Sequence, residues 1–394
     1  MFAPKRLGLP LCLLLSATAC AESASSQQST SNTAPAASSA TQAVKANPQP
    51  SGKKWQWQTV AQGLNHPWAL AFLPDGRFLV SERSGNLRII GAQGQIGTPI
   101  AGLPKIDVGG QGGLLDVVLD EQFAQNRRLY FCFSEAGGSG NSTALAEGKL
   151  SADNRRLEQV KTLFSQRPKI DSSAHFGCRI VLTQQHIYLG LGDRYSQKEQ
   201  AQKLDNHIGK IVRLNRNGSK PSDNPFAQQN AAAEIWSYGH RNIQGMTADA
   251  RGRLWASEHG AQGGDEINLI EGGKNYGWPV ITYGTDYGGG KIGEGITAKA
   301  GMEQPLYYWN PSIAPSGLTF VGSNPYGSDW QGNLLAGSLK FGYVARLKLD
   351  NTRVSGEEKI EVGERVRDVR QAPDGFVYVL TDSGNGKLLK LLPQ

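Results

Sequence analysis

From Trp55 to the C-terminus the chain alternates short runs of large apolar side chains with Gly, Asn and Asp, and no long stretch keeps a helical period. Alternation at period two, punctuated by turn residues, predicts short antiparallel strands and an all-β fold. The strands also recur as a unit. Ala71–Ile90 reads as strand, Asp-Gly turn, strand, Gly turn, strand, and Ala372–Leu391 repeats that order. Weaker copies run from Leu114 to Phe133, Ile180 to Gly192, Met246 to Ser257 and Leu318 to Gly337. A small sheet of this kind cannot bury both faces alone, and radial stacking of such sheets is the propeller solution. The pattern therefore predicts a six-bladed β-propeller, with a strand near Trp55–Val60 closing the ring against the last blade. A pair of β-sandwiches is the competing architecture, but sandwich strands need not recur as a unit.

The first 53 residues obey a different pattern. Lys5 and Arg6 precede an apolar run from Leu7 to Leu15 and small residues up to Ala19-Cys20, too short to span a bilayer and patterned as an export signal over residues 1–19. Cys20 is the expected site of a lipid anchor, and cleavage after Ala17-Thr18-Ala19 gives the soluble alternative. Residues 20–53 are rich in Ser, Ala, Thr and Gln and read as a disordered linker. The expectation is a periplasmic protein or an outer-membrane lipoprotein facing the periplasm, with the propeller at 54–394. Cys132 and Cys178 remain in the folded part, as a disulfide or as two buried thiols.

Composition adds two points. The 49 glycines among 394 residues, about one in eight against roughly 7% in an average chain, fit a turn-rich fold. The 41 basic and 34 acidic residues give +7 without a dense Lys/Arg run, so nothing favours nucleic acid as a partner.

Propeller chemistry gathers where the blade loops converge, which directs attention to polar residues beside the repeats. Gln111 lies among four glycines in Gly109–Gly113. His175 precedes Phe-Gly-Cys-Arg at the entry to a strand; His66, His186, His207 and His240 have weaker claims. Arg241 and Asn242 set a planar cation beside an amide, a pair suited to a carboxylate or quinone oxygen. Ser257–Asn268, followed by Lys274–Pro279, offers carboxylates and loop carbonyls suited to a hard cation such as calcium, and no Cys/His spacing suits zinc. Lys340, Arg365 and Arg367 complete the set, with 365 and 367 on one face of a strand. Together with Arg241 they would bring four cations to one channel, which an anionic ligand would offset.

In this order the segments His-Phe-Gly-x-Arg, Gly-His-Arg-Asn-x-Gln-Gly, Asp-Glu-Ile-Asn with Asn-Tyr-Gly-Trp-Pro, Ser-Leu-Lys and Arg-x-Arg-Asp-Val resemble the soluble quinoprotein sugar dehydrogenases that use pyrroloquinoline quinone (PQQ), in particular the aldose sugar dehydrogenase branch. The resemblance runs from about Leu64 to the C-terminus and implies a six-bladed propeller that oxidises aldoses at C1, passing electrons to an acceptor the sequence does not identify. It implies His175 as general base, Gln111, Arg241, Asn242, His259, Lys340, Arg365 and Arg367 as PQQ contacts, carbonyls of Gly260 and Ala261 as calcium ligands, and Glu266 and Tyr276 at a second calcium position, with Asp286 a weaker match. The glucose dehydrogenase branch has Asp immediately before the histidine, where this chain has Ala174, so another group must orient His175. A propeller that binds a sugar or a protein without redox chemistry, and a calcium-dependent lactonase, are the alternatives; the cation cluster argues against a hydrolase, which has no need of it.

Overall fold

The computed structural model describes residues 42–138, 140–322 and 325–393. The expected export signal and the lipid site at Cys20 lie outside the described residues. Among those described, no helix is long and apolar enough to cross a membrane, and helix is confined to Phe123–Asn126 and two short 3-10 turns.

Six sheets form the body of the protein. Blade 1 has three strands, Pro67–Phe72, Phe78–Glu82 and Asn86–Ile90; blades 2 to 5 begin with Leu114–Leu119, Gly177–Leu182, Ile243–Ala248 and Pro315–Phe320, and blade 6 with Val366–Gln371. Each first strand packs beside the first strands of the blades before and after it, so the six surround one axis. All six repeat copies named from sequence fall one to a blade. Gln56–Leu64 pairs antiparallel with Gly386–Leu392 as the outer strand of blade 6, which closes the ring as expected.

The core lies between the sheets. Trp68, Leu79, Phe131, Leu145 and Leu189 belong to one buried cluster that joins blades 1 to 3. In blade 1, Leu79 alternates with Phe78 and Val80, which belong to a second buried cluster with Tyr378 and Leu388 of blade 6, so one sheet supplies both of its faces to adjacent interfaces. The axis itself is ionic. Arg179 Nη1 bonds Asp116 (3.3 Å) and Asp368 (3.2 Å), while Arg370 bonds Asp116 through Nη2 (3.0 Å) and Asp368 through Nε (3.1 Å). The backbone N–H groups of Leu70 and Ile180 donate to the same two carboxylates. This network ties together the first strands of blades 1, 2, 3 and 6.

Every first strand also breaks register near its start: at Pro67/Ala69, Leu114/Val117, Gly177/Arg179, Ile243/Gly245, Pro315/Leu318 and Val366/Asp368. A bulge inserts an extra residue and re-aims its side chain. The bulges thus bring Trp68, Gln244 and Arg367 together at one end of the axis and turn Cys178 toward blade 2.

Part of the expected linker is ordered. Val44–Lys45 pairs in parallel with Tyr307–Tyr308 on the edge of blade 4, and Gln49–Pro50 with Glu358–Lys359 on the edge of blade 5. Edge strands offer unpaired backbone groups to any extended segment whatever its side chains, which is why a stretch poor in large apolar residues still docks.

The Cys132–Cys178 alternative resolves in favour of a disulfide, joining the second strand of blade 2 to the first of blade 3.

Candidate active site

The sequence-predicted residues gather at the bulged end of the axis. His175 sits just before the first strand of blade 3 in the left-handed region, φ 51°. Its backbone N–H donates to Gln111 Oε1 (2.9 Å), so the glycine-rich loop of blade 2 meets it. Its Nδ1 lies 2.6 Å from Asp193 Oδ1. Asp193 is buried and also accepts from Tyr195 N–H (2.8 Å) and from Trp278 Nε1 (2.7 Å). A carboxylate so held fixes the ring and keeps the proton on Nδ1, leaving Nε2 as the nitrogen able to accept one. Asp193 is therefore the group that orients His175. Ala174 contributes only backbone, its carbonyl accepting from Arg194 Nε at 3.1 Å and its N–H donating to Ser172 Oγ at 3.3 Å.

Burial pulls the His175 pKa below the ordinary imidazole value; the Asp193 carboxylate opposes that shift, and the charges of Arg241 and Arg194 reinforce it. The ring is neutral at pH 7.

Arg241 follows His240 in the loop that enters blade 4. Its backbone N–H donates to Glu258 (2.7 Å), its Nη1 to the His259 carbonyl (3.3 Å) and its Nη2 to the Tyr287 hydroxyl (3.4 Å), with the guanidinium 5.1 Å from the Trp278 ring. Its Nε is buried without a partner, as is Arg179 Nη2 beneath. Asn242 turns its Oδ1 to the Gly177 N–H (3.1 Å) and Gln244 Nε2 (3.3 Å), so that oxygen steadies the His175 loop. His259 Nε2 contacts the Pro315 carbonyl at 2.7 Å, and burial together with Arg241 pushes the ring down to about 3.

Arg367 reaches Gln244 Oε1 (3.0 Å) and Asp382 Oδ2 (2.9 Å), and Arg365 reaches the same oxygen at 3.4 Å; Arg365 lies just before the strand and Arg367 is its bulged residue, so they meet through Asp382 rather than through strand alternation. Asp382 also holds His66 Nδ1 at 2.8 Å. Arg365 and Arg367 are thus partly neutralised by a carboxylate that sequence reasoning missed. Lys340 lies exposed at the rim, its ammonium 5.2 Å from the Phe341 ring, and among the described residues neither Lys340 nor Arg241 makes an ion pair with a carboxylate.

The hairpin of blade 4 carries the predicted metal residues. Buried Asp265 fixes it, accepting Gly260 N–H (2.7 Å), Ile313 N–H (2.7 Å) and Ala314 N–H (2.9 Å). No three His, Cys, Asp or Glu side chains converge as metal ligands among the described residues, so a cation at Gly260 and Ala261 would rest on backbone carbonyls. Glu266 neighbours Glu258, and burial and that second carboxylate push it well above the ordinary carboxylate range. Asn268 Nδ2 bridges the two acids at 3.0 Å each, while its Oδ1 is buried without a partner. Tyr276 stacks on His240, but its hydroxyl is taken up by the Leu269 carbonyl (2.7 Å) and Glu271 N–H (2.9 Å). Asp286 faces Lys198 (3.9 Å) across the mouth of the site rather than joining Glu266.

Two further residues flank His175. Tyr195 sets its ring edge-on, 5.3 Å away, and Tyr287 lies 6.5 Å from Tyr195. Both are more than half exposed, at 54% and 58%, which singles them out in a protein that buries most of its large rings. With Lys198, Arg241, Trp278 and Asp286 they line a cavity of about 250 Å³ beside Asp193.

Comparison with known proteins fits this geometry. The family model for glucose/sorbosone dehydrogenases matches residues 64–390. The chain is 45% identical over 339 residues to the aldose sugar dehydrogenase YliI of Escherichia coli K12, covering 84% of this chain and 91% of that one. The apo crystal structure of the soluble aldose sugar dehydrogenase from Escherichia coli superimposes with a TM-score of 0.83 at 43% identity, over 86% of this chain and 100% of that one. The PQQ-bound aldose sugar dehydrogenase of Streptomyces coelicolor gives 0.70 at 28% identity, over 87% and 99%. The chain is a member of the glucose/sorbosone dehydrogenase family.

Proposed function

We propose that this protein is a PQQ-dependent dehydrogenase that oxidises the C1 hydroxyl of aldose sugars to the lactone, with His175 as general base. The observation that carries the reading is the His175–Asp193 pair, a buried neutral imidazole with its Nδ1 committed, beside the charges of Arg241 and Arg194. Bound PQQ supplies the two-electron acceptor for the hydride that leaves C1. The chain supplies the rest. His175 Nε2 takes the C1 hydroxyl proton, Asp193 stabilises the imidazolium so formed, and Arg241 and Arg367, with Lys340 and Arg365 at the rim, hold the carboxylates of the cofactor. The unpartnered buried Nε of Arg241 supports this fit, since an anionic ligand would satisfy it.

Calcium belongs to the same reading. Carbonyls of Gly260 and Ala261 would ligate one ion together with the cofactor. A second cation beside Glu266 would relieve its repulsion with Glu258 and satisfy Asn268 Oδ1. For Tyr276 the backbone carbonyl would be the ligand, since its hydroxyl is bonded. The disulfide supports export to an oxidising compartment, in keeping with a periplasmic location.

The test is titration of apoprotein with PQQ in the presence of calcium, followed by absorbance. Wild type is expected to saturate at one PQQ per chain, and Arg241→Ala to bind about 10- to 100-fold more weakly, the loss of a charge-assisted hydrogen bond worth roughly 1.5–3 kcal/mol. Absence of binding by folded wild type would overturn the reading.

The pH profile gives a second check. His175 must be neutral to accept a proton, and its pKa is lowered, so kcat/KM is expected to stay high below about 6.5, the ordinary imidazole value, and to fall only at more acid pH. An acid limb above that value would contradict the assignment.

A further inference from the structure

The loop that delivers His175 is wound against the preference of its residues. His175, Gly177 and Cys178 have φ of 51°, 65° and 74°. Two of these three left-handed positions carry a Cβ, which crowds the neighbouring carbonyl in that region. Cys178 is also the extra residue of the blade 3 bulge between Gly177 and Arg179. Such a turn persists only where its surroundings over-determine it.

Hydrogen bonds contribute, among them one from the Arg194 N–H to the His175 carbonyl at 3.3 Å. Gln111 Oε1 holds the His175 N–H at 2.9 Å, Asn242 Oδ1 holds the Gly177 N–H at 3.1 Å, and Thr143 Oγ1 donates to the Phe176 carbonyl at 2.7 Å. A further restraint is covalent. Cys178 is joined to Cys132, which lies mid-strand in blade 2, paired with Leu145 and fully buried. The bond therefore anchors the bulge of one blade to the rigid middle of the next, three residues from the base.

We propose that the Cys132–Cys178 disulfide is a positioning device for His175, holding the left-handed turn between blades 2 and 3 so that the imidazole stays seated on Asp193, and that full catalytic competence requires the pair to be oxidised. The proposal rests on His175 being the base. Forming the bond passes two electrons and two protons from the thiols to a disulfide oxidant such as glutathione disulfide, which leaves as two thiols. The protein would thus reach full activity only in an oxidising compartment.

The test compares PQQ-loaded wild type, Cys132→Ala and Cys132→Ala/Cys178→Gly, each assayed well below its own thermal midpoint. Cys132→Ala is expected to lose about tenfold in kcat with KM within about twofold, because misplacing a reacting group slows the chemistry. Its His175 and Gly177 amides, held by Gln111 and Asn242, are expected to lose hydrogen-exchange protection. The added glycine accepts φ 74° without strain and is expected to restore kcat to within about threefold of wild type. A Cys132→Ala enzyme with kcat within about twofold of wild type, or with lowered kcat but intact protection at those two amides, would overturn the proposal and leave the disulfide as a stabiliser of the fold.

If Cys132→Ala does not fold, wild type isolated from a reducing cytosol is assayed before and after oxidation by glutathione disulfide, with its thiols counted after denaturation. The proposal expects kcat to rise as the thiols disappear, and an unchanged kcat overturns it. Failure of the base assignment would show separately, as a His175→Ala enzyme that keeps its kcat, while amide protection reports the loop whatever the role of the ring.

Discussion

Changing Asp193 to asparagine is expected to lower kcat by about 10²- to 10⁴-fold, the range of general-base catalysis, whose upper end is the loss seen when the carboxylate behind a catalytic imidazole is replaced by an amide. Asp193 Oδ1 faces His175 Nδ1 at 2.6 Å, and its two oxygens are also held by Tyr195 N–H and Trp278 Nε1. Tyr195 N–H and Trp278 Nε1 can only donate, one to Oδ1 and the other to Oδ2, so an asparagine sets its NH2 against a donor in either orientation. With the NH2 turned to His175, Nδ1 becomes an acceptor and the ring proton moves to Nε2, the atom that must accept; with the oxygen there, the imidazolium loses its counter-charge. PQQ affinity should barely change, because the substitution leaves Arg241, Arg365, Arg367 and Lys340 in place. His175→Ala should lose about 10²- to 10⁴-fold in kcat. The double variant should be little worse than either single one, since the two residues act as a unit. Steady-state kinetics on reconstituted protein, beside a PQQ titration, separate these terms. An Asp193→Asn enzyme within a few fold of wild type would remove the pair from the chemistry.

The second large effect falls on folding. Asp368→Ala is expected to destabilise the protein by about 3–5 kcal/mol, the cost of breaking a buried ion pair by removing one partner. Asp368 binds Arg179 at 3.2 Å, Arg370 at 3.1 Å and the Leu70 N–H at 3.0 Å, so its loss leaves two guanidiniums with Asp116 as their remaining carboxylate and frees a buried donor in blade 1. Because blades 6 and 1 are where the ring closes, the loss acts on the seam. Urea unfolding of apoprotein measures it. A change below about 1 kcal/mol would mean that the axis is hydrated and the network adds little.

How far the sequence carried the account follows from what repeats and what does not. The blades were legible because each buries its faces with the same strand order, and the Asp-Gly turns of Ala71–Ile90 and Ala372–Leu391 mark that order directly. Gln111, His175, Arg241 and Arg367 were legible as polar residues beside repeats. Asp193 was not, because Gly-Asp-Arg after Leu191 reads as an ordinary turn. A signal was present, however: an acid stands at or just past the end of the second strand in four blades, as Glu82, Asp193, Glu258 and Asp382. The last three each bind the Nδ1 of a histidine, His175, His240 and His66 respectively. Aligning blades by those strand ends would have paired base and carboxylate. The bulges that aim Cys178, Gln244 and Arg367 leave no periodic trace, since one inserted residue looks like any other. The docking of residues 44–50 depends on backbone pairing with distant blade edges, which composition does not record.

The central claim is that this chain oxidises aldoses only with PQQ in place, and dye reduction by the apoprotein tests it most directly. Folded protein is mixed with calcium and a panel of aldoses, with and without PQQ, and the reduction of an artificial electron acceptor is followed. The account predicts no turnover without PQQ and turnover with at least one aldose when it is added; PQQ bound to folded protein with no sugar oxidised across the panel would contradict it.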